Sequence, residues 1–167
     1  MASTQAPLTA LQKTQSPSQR TLLQVEDNPA NADVVKLLIA RRNDLKLLTA
    51  TNGHQGIEMA CASLPDAILM DMRMPGMSGL SAVAILRENP ATSHIPVIAL
   101  SSNAFSDEIK KCLKAGVFRY LTKPYKIEDL MAVIDTALLC AAESRPTTER
   151  QTLTTEAAVS CGNLGSA

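Results

Sequence analysis

Short apolar runs alternate with amphipathic stretches along most of this chain, and the alternation repeats five times. The runs are Thr21–Val25, Leu45–Ala50, Ala67–Met70, Pro96–Leu100 and Val117–Leu121. Each is almost continuously apolar, as strands covered on both faces must be. Between and after them lie Asn31–Arg42, Gly56–Leu64, Gly79–Glu88, Asp107–Ala115 and Glu128–Leu139, where apolar residues recur at helical spacing. The last is the clearest: Leu130, Val133, Ile134, Ala137 and Leu138 fall at i, i+3, i+4, i+7 and i+8. Val34, Val35, Leu37, Leu38 and Ile39 give the first helix an apolar side for a sheet, and Leu80, Val83, Ala84 and Leu86 do so for the third. Gly116 stands where a helix C′ residue is wanted. Five β–α units in succession predict an α/β domain: a five-stranded parallel sheet, doubly wound, with helices on both faces.

The pattern stops at both ends. Residues 1–19 are rich in Ser, Thr, Gln and Pro, and residues 143–167 are similar, so both are expected to be disordered tails around a domain at 20–142. Residues 143–167 are too few for a helix-turn-helix or catalytic output domain. The expectation is therefore a stand-alone module acting by protein contact, or a piece of a longer protein.

Composition narrows the class. Aromatic residues make up 2% of the chain, so the core has to be aliphatic. Sixteen basic and sixteen acidic residues cancel, which gives no reason to expect direct nucleic-acid or membrane binding. The first residues lack a signal-peptide core and no apolar run approaches a membrane span. Cys61, Cys112, Cys140 and Cys161 are scattered, without metal-ligand spacing, and read as reduced thiols; Cys61 and Cys112 read as helix packing residues. The expected location is the cytoplasm.

In an open parallel sheet, ligands bind beyond the carboxyl ends of the strands. There the first strand delivers Glu26 and Asp27, the third Asp71, the fourth Ser101, Ser102 and Asn103, and the fifth Thr122, Lys123 and Pro124. Three carboxylates brought close repel one another. A hard divalent cation such as Mg²⁺ removes that repulsion and keeps positions open for phosphoryl oxygens. Each residue alone has a plainer reading. Asp71 or Ser101 could serve a turn, Lys123 could be an exposed lysine, and one of Glu26 and Asp27 could cap the first helix. Their convergence on one rim is what points to phosphoryl chemistry.

Four stretches, VEDNPAN (25–31), DMRMPGMSG (71–79), VIALSSNA (97–104) and YLTKP (120–124), resemble the receiver domain of two-component response regulators. VEDNPAN and YLTKP resemble receivers attached to hybrid histidine kinases. The resemblance covers about Thr21 to Ala142 and implies the flavodoxin-like strand order 2-1-3-4-5. It implies that Asp71 is the phosphoacceptor, that Asp27 and Asp71 ligate Mg²⁺ directly with Glu26 reaching it through water, and that the carbonyl of Arg73 is a further ligand. It implies that Lys123 pairs with the phosphoryl oxygens, that Ser101 swings toward the acyl phosphate, and that Tyr120 is the aromatic switch following it. Pro124 would follow a cis peptide bond, and Gly76 and Gly79 would serve the loop above Asp71. The implied partners are a histidine kinase or histidine phosphotransfer protein as donor, and a downstream protein on the face of the fourth helix, fifth strand and fifth helix. Pairing of two copies on that face is left open. No enzymatic activity of its own is implied.

Two rival readings compete. A haloacid-dehalogenase-type phosphatase also uses an aspartyl phosphate and Mg²⁺, but it wants a second acid two residues after the nucleophile, where Arg73 stands. A receiver-like module that binds partners without phosphorylation would not need Glu26, Asp27, Ser101 and Lys123 together. Several positions are unusual for the resemblance. Gln24 puts an amide in the central strand, where it needs a partner. Arg73 stands beside the site, where its length and charge would alter acyl phosphate lifetime. Ser102 is small enough to leave the phosphoryl group accessible, and Phe118–Arg119 would retune the partner face. Met72, Met74 and Met77 should pack over the loop, and His54 and His94 should be solvated.

Overall fold

The computed structural model describes residues 19–144, so the two tail expectations lie almost wholly outside the described residues. Five strands, β1 (Arg20–Val25), β2 (Leu45–Ala50), β3 (Ala67–Asp71), β4 (Val97–Ser101) and β5 (Arg119–Thr122), alternate with five helices. The helices are α1 (Pro29–Ile39), α2 (Gly53–Ser63), α3 (Gly79–Glu88), α4 (Ser106–Lys114) and α5 (Ile127–Ser144). The sheet is parallel throughout, in the order β2-β1-β3-β4-β5. Helix α5 runs five residues past the predicted end at Leu139, into the stretch read as a tail.

The pleat divides the core. Leu23, Val25, Ile68, Met70, Val97 and Ala99 point to one face, where Ala60, Ala82, Val83 and Leu86 of α2 and α3 cover them. Leu22, Leu69, Ile98 and Leu100 point to the other, beneath Val35 and Ile39 of α1 and Leu130, Ile134 and Ala137 of α5. Every residue of β3 and β4 is buried, as continuous apolar runs require.

Some side chains depart from expectation. Val34 and Leu37 are exposed, because α1 covers the sheet with only Ala32, Val35 and Ile39 fully buried. Met72 and Met74 are core residues, and Cys112 is buried with its Sγ 3.8 Å from Met72 Sδ. Cys61, in contrast, is exposed. His54 and His94 are exposed, as expected. Gln24 is 1% exposed, and neither its Nε2 nor its Oε1 has a hydrogen-bond partner among the described residues. Among these residues no helix is long and apolar enough to cross a membrane.

Candidate functional site

The order β2-β1-β3 reverses the direction of winding between β1 and β3, and this opens a crevice at their carboxyl ends. Pairing of Gln24 with Leu69 and of Val25 with Met70 sets the next residues, Glu26 and Asp71, side by side at the rim. Asn28 caps α1, its side chain accepting from Ala30 and Asn31 N–H, so neither Glu26 nor Asp27 is spent on capping. Glu26 is buried and turned inward by the Asn31 amide, which donates to its Oε1 at 3.0 Å. Asp27 remains exposed.

Glu26, Asp27 and Asp71 each offer a carboxylate oxygen, and the three oxygens lie within 4.8 Å of one another. The lysine completes the cluster. Lys123 Nζ donates to Asp71 Oδ2 at 2.6 Å and to Glu26 Oε2 at 2.7 Å. Burial works against its charge, but the Asp71 and Glu26 carboxylates outweigh it and hold the ammonium above the ordinary lysine value. The peptide bond between Lys123 and Pro124 is cis, and Lys123 N–H is anchored on the carbonyl of Ser101 at 2.7 Å. The other oxygen of Asp71, Oδ1, accepts the N–H of Arg73 at 2.7 Å.

Close backbone approach shapes the loop above Asp71. Any Cβ at Gly79 would sit 2.2 Å from the Asp71 carbonyl oxygen, so only glycine lets α3 begin there. Gly76 has φ of 79°, in the region that favours glycine.

Around β4, Ser101 is fully buried, and its Oγ accepts the N–H of Asn103 at 3.2 Å. The Tyr120 phenol donates to the Asn103 carbonyl at 2.6 Å. Burial pushes that phenol above the ordinary tyrosine value, partly offset by a hydrogen bond with the Ser101 side chain. Ser102 is exposed and engaged by a neighbour. Arg73 reaches across to it, with Nη2 at 2.6 Å and Nε at 3.2 Å from its Oγ. Sequence reasoning placed both residues near the site but missed their contact, which depends on Asp71 lying beside Leu100 in the sheet.

All the carboxylates and the lysine singled out in the sequence thus meet at one rim, with Ser101 and Tyr120 both hydrogen-bonded to Asn103 beside it. Formally, three negative charges face one positive one, and all the facing ligand atoms are hard oxygens. That donor set fits a divalent cation such as Mg²⁺. The position two residues after Asp71 holds a guanidinium engaged by Ser102, not the acid a dehalogenase-type phosphatase would need there.

A doubly wound α/β domain with an acidic triad and a lysine at its switch point is a phosphoacceptor architecture. The chain belongs to the response regulator receiver domain family, whose sequence model matches residues 22–135. It is 34% identical over 125 residues to hybrid signal transduction histidine kinase G of Dictyostelium discoideum, covering 74% of this chain and 4% of that protein. It is 37% identical over 118 residues to the nitrate/nitrite response regulator protein NarL of Escherichia coli K12, covering 70% of this chain and 54% of NarL. The chain therefore spans at most about half the length of these curated relatives. Among solved structures it resembles the receiver domain of sensor histidine kinase PA1611 from Pseudomonas aeruginosa PAO1, a structure with a magnesium ion coordinated in its active site cleft. That likeness has 33% identity and a TM-score of 0.66, and covers 72% of this chain and 98% of that one. Its fold is also that of chemotaxis protein CheY4 of Vibrio cholerae, at 21% identity and a TM-score of 0.68, covering 72% of this chain and 100% of that one. Receiver domains act as phosphoacceptors in two-component signalling, and this chain is one.

Proposed function

We propose that this domain accepts a phosphoryl group on Asp71 from the phosphohistidine of a histidine kinase or histidine phosphotransfer protein. The observation carrying this reading is the junction of Asp71 with Lys123 at 2.6 Å inside the acidic cluster. A carboxylate oxygen of Asp71 attacks phosphorus in line. The new P–O bond forms as the P–N bond breaks, and the electron pair leaves with the imidazole nitrogen. No general base is needed, since the nucleophile is already a carboxylate. Lys123 neutralises charge on the transferring oxygens, and positioning does most of the rest. Asp27 and Asp71, with the Arg73 carbonyl and with Glu26 through water, would hold Mg²⁺. Mg²⁺, when bound, offsets the negative charge shared by the acids and the phosphoryl oxygens.

Two surfaces support the partner assignment. Val34 and Leu37 are 46% and 69% exposed on α1. Val34 also lines a concavity of about 410 Å³ with Asn31, Lys123, Pro124 and Tyr125, next to the acids. An apolar patch at the mouth of the site suits a donor protein that must bring its histidine to Asp71. On the other side, Ser101 would turn to the acyl phosphate and Tyr120 would follow. The face of α4, β5 and α5, with Arg119 stacked 5.0 Å over the Phe118 ring, would then be read by a downstream protein or a second copy. The cytoplasm is the compartment where such donors would meet it.

The test is incubation with Mg²⁺ and acetyl phosphate or phosphoramidate, followed by intact mass. Wild type should gain one phosphoryl group and Asp71→Asn none. A wild type that stays unmodified, or an Asp71→Asn variant that gains the same mass, would overturn the assignment.

A further inference from the structure

The loop joining β4 to α4 is held by one residue. Asn103 N–H donates to Ser101 Oγ at 3.2 Å, and its carbonyl accepts the Tyr120 phenol at 2.6 Å. Its side-chain Oδ1 accepts the Phe105 N–H at 3.1 Å, and its Nδ2 donates to a carboxylate oxygen of Glu108. The amide has only one workable orientation, because an N–H needs an acceptor and a carboxylate oxygen can only accept. All four hydrogen-bonding groups of Asn103 are therefore used, on four different residues.

What those residues do makes the arrangement informative. Phe105 occupies the N-cap of α4 and contributes no side-chain cap hydrogen bond. Helices normally satisfy their first N–H groups through a cap side chain, and Asn103 instead anchors this end from two residues upstream. Glu108 lies in the first turn of α4, so both ends of the Asn103 amide fix that turn. The backbone of the same residue holds Ser101 and Tyr120.

We infer that Asn103 is the positioning residue that couples Ser101 and Tyr120 to the first turn of α4. The inference rests on the reading of Asp71 as phosphoacceptor and of Ser101 as the hydroxyl that turns to it. A Ser101 side chain that rotates toward the acyl phosphate carries its Oγ away from Asn103 N–H, which it accepts at 3.2 Å in this structure. Releasing that N–H frees the Asn103 peptide to rotate. Its carbonyl carries Tyr120, and its side chain carries Phe105 and Glu108, so the phenol and the start of α4 move together. Phe105, 76% exposed, is then the surface residue that reports the event.

The experiment compares wild type, Asn103→Ala, Glu108→Ala and Glu108→Gln, each with and without Mg²⁺ and acetyl phosphate. Phosphoryl uptake is followed by intact mass and the amide resonances of Phe105 to Glu108 by NMR. Asn103→Ala should take up a phosphoryl group as wild type does. Its phosphorylation-dependent shifts over Phe105 to Glu108 should be at least twofold smaller. Glu108→Ala should behave alike, whereas Glu108→Gln, which keeps an acceptor for the Asn103 amide, should restore the wild-type response. Shifts of wild-type size in phosphorylated Asn103→Ala would overturn the coupling. So would an α4 first turn already unprotected from hydrogen exchange in unphosphorylated Asn103→Ala, which would make the residue merely structural. A wild type without phosphoryl uptake would sink the phosphoacceptor reading, and this inference with it.

Discussion

Lys123 sets its ammonium 2.6 Å from Asp71, on the carboxylate read as the nucleophile. The same ammonium also serves Glu26, so one cation pairs with two of three carboxylates whose oxygens lie within 4.8 Å of one another. The charge left over is what a divalent cation would relieve, and that relief can be measured.

Adding Mg²⁺ should raise the melting temperature, and EDTA should reverse the gain. At one hundred times the dissociation constant the stabilisation would be about 2.7 kcal/mol. Asp27→Ala is the informative variant because Asp27 is exposed and makes no cap, so its loss should abolish the Mg²⁺ effect without unfolding the domain. A melting curve indifferent to Mg²⁺ would count against the metal site.

Without metal, the two partners across this contact should behave oppositely on substitution. Asp71→Asn removes one of three mutually repelling carboxylates and should leave the domain as stable as wild type or more so, by about 1 kcal/mol. Lys123→Met strands buried Glu26 beside Asp71 with no cation, and should cost about 2 kcal/mol or more. Urea unfolding in EDTA decides this. A destabilised Asp71→Asn would show that the cluster holds the fold together instead of straining it.

Much of this was legible from the chain because it rests on short-range chemistry. Continuous apolar runs such as AILM announced buried parallel strands, and carboxylates at the carboxyl ends of several such strands converge where the sheet binds ligands. What escaped was set by tertiary contact. The periodicity of α1 could not say which apolar residues the sheet would cover, so Val34 and Leu37 read as inward and lie outside. One of Glu26 and Asp27 read as a possible cap for α1, and the backbone gave that place to Asn28. The Arg73–Ser102 bond joins residues 29 apart through strand register, which no local pattern encodes.

That bond leads to a kinetic expectation. Arg73 spans from the loop after Asp71 to the loop after Ser101, beside the place where the acyl phosphate would stand. If the strap limits the approach of water, Arg73→Ala and Ser102→Ala should both shorten the acyl phosphate lifetime severalfold. If only the guanidinium charge matters, Ser102→Ala should be silent. Autodephosphorylation rates equal in all three proteins would discard both versions.

Alkaline pH should weaken the fold. Burial pushes the Cys112 thiol up from its ordinary value of 9.0, and Glu108 adds to it. Burial likewise pushes the Tyr120 and Tyr125 phenols up from 10.0. Each group holds its proton to higher pH in the native state than in the unfolded chain. The unfolded state therefore binds fewer protons above about pH 9, and stability falls as pH rises. The urea midpoint should be level from pH 7 to 8.5 and decline from pH 9 to 10.5, with Cys112→Val softening the first part of the decline. A midpoint that rises over that range would contradict the assignment.

Gln24 stands in the middle of the sheet between Thr49 and Leu69, on the face shared with Leu22 and Glu26. Its amide is buried, and neither polar atom has a hydrogen-bond partner among the described residues. Burying such a group unpaired costs on the order of 1–3 kcal/mol. Gln24→Met keeps the length and nearly the volume of the side chain while removing both polar atoms, so packing changes little. The variant should gain about 1–2 kcal/mol in urea unfolding with an unchanged denaturant slope, which marks a change in stability rather than in compactness. Since Glu26 lies two residues along the same face, phosphoryl uptake should be measured alongside. Equal uptake with higher stability would identify Gln24 as a burden on the fold alone. Lower stability would mean that the amide is satisfied in solution, and that the central strand relies on it.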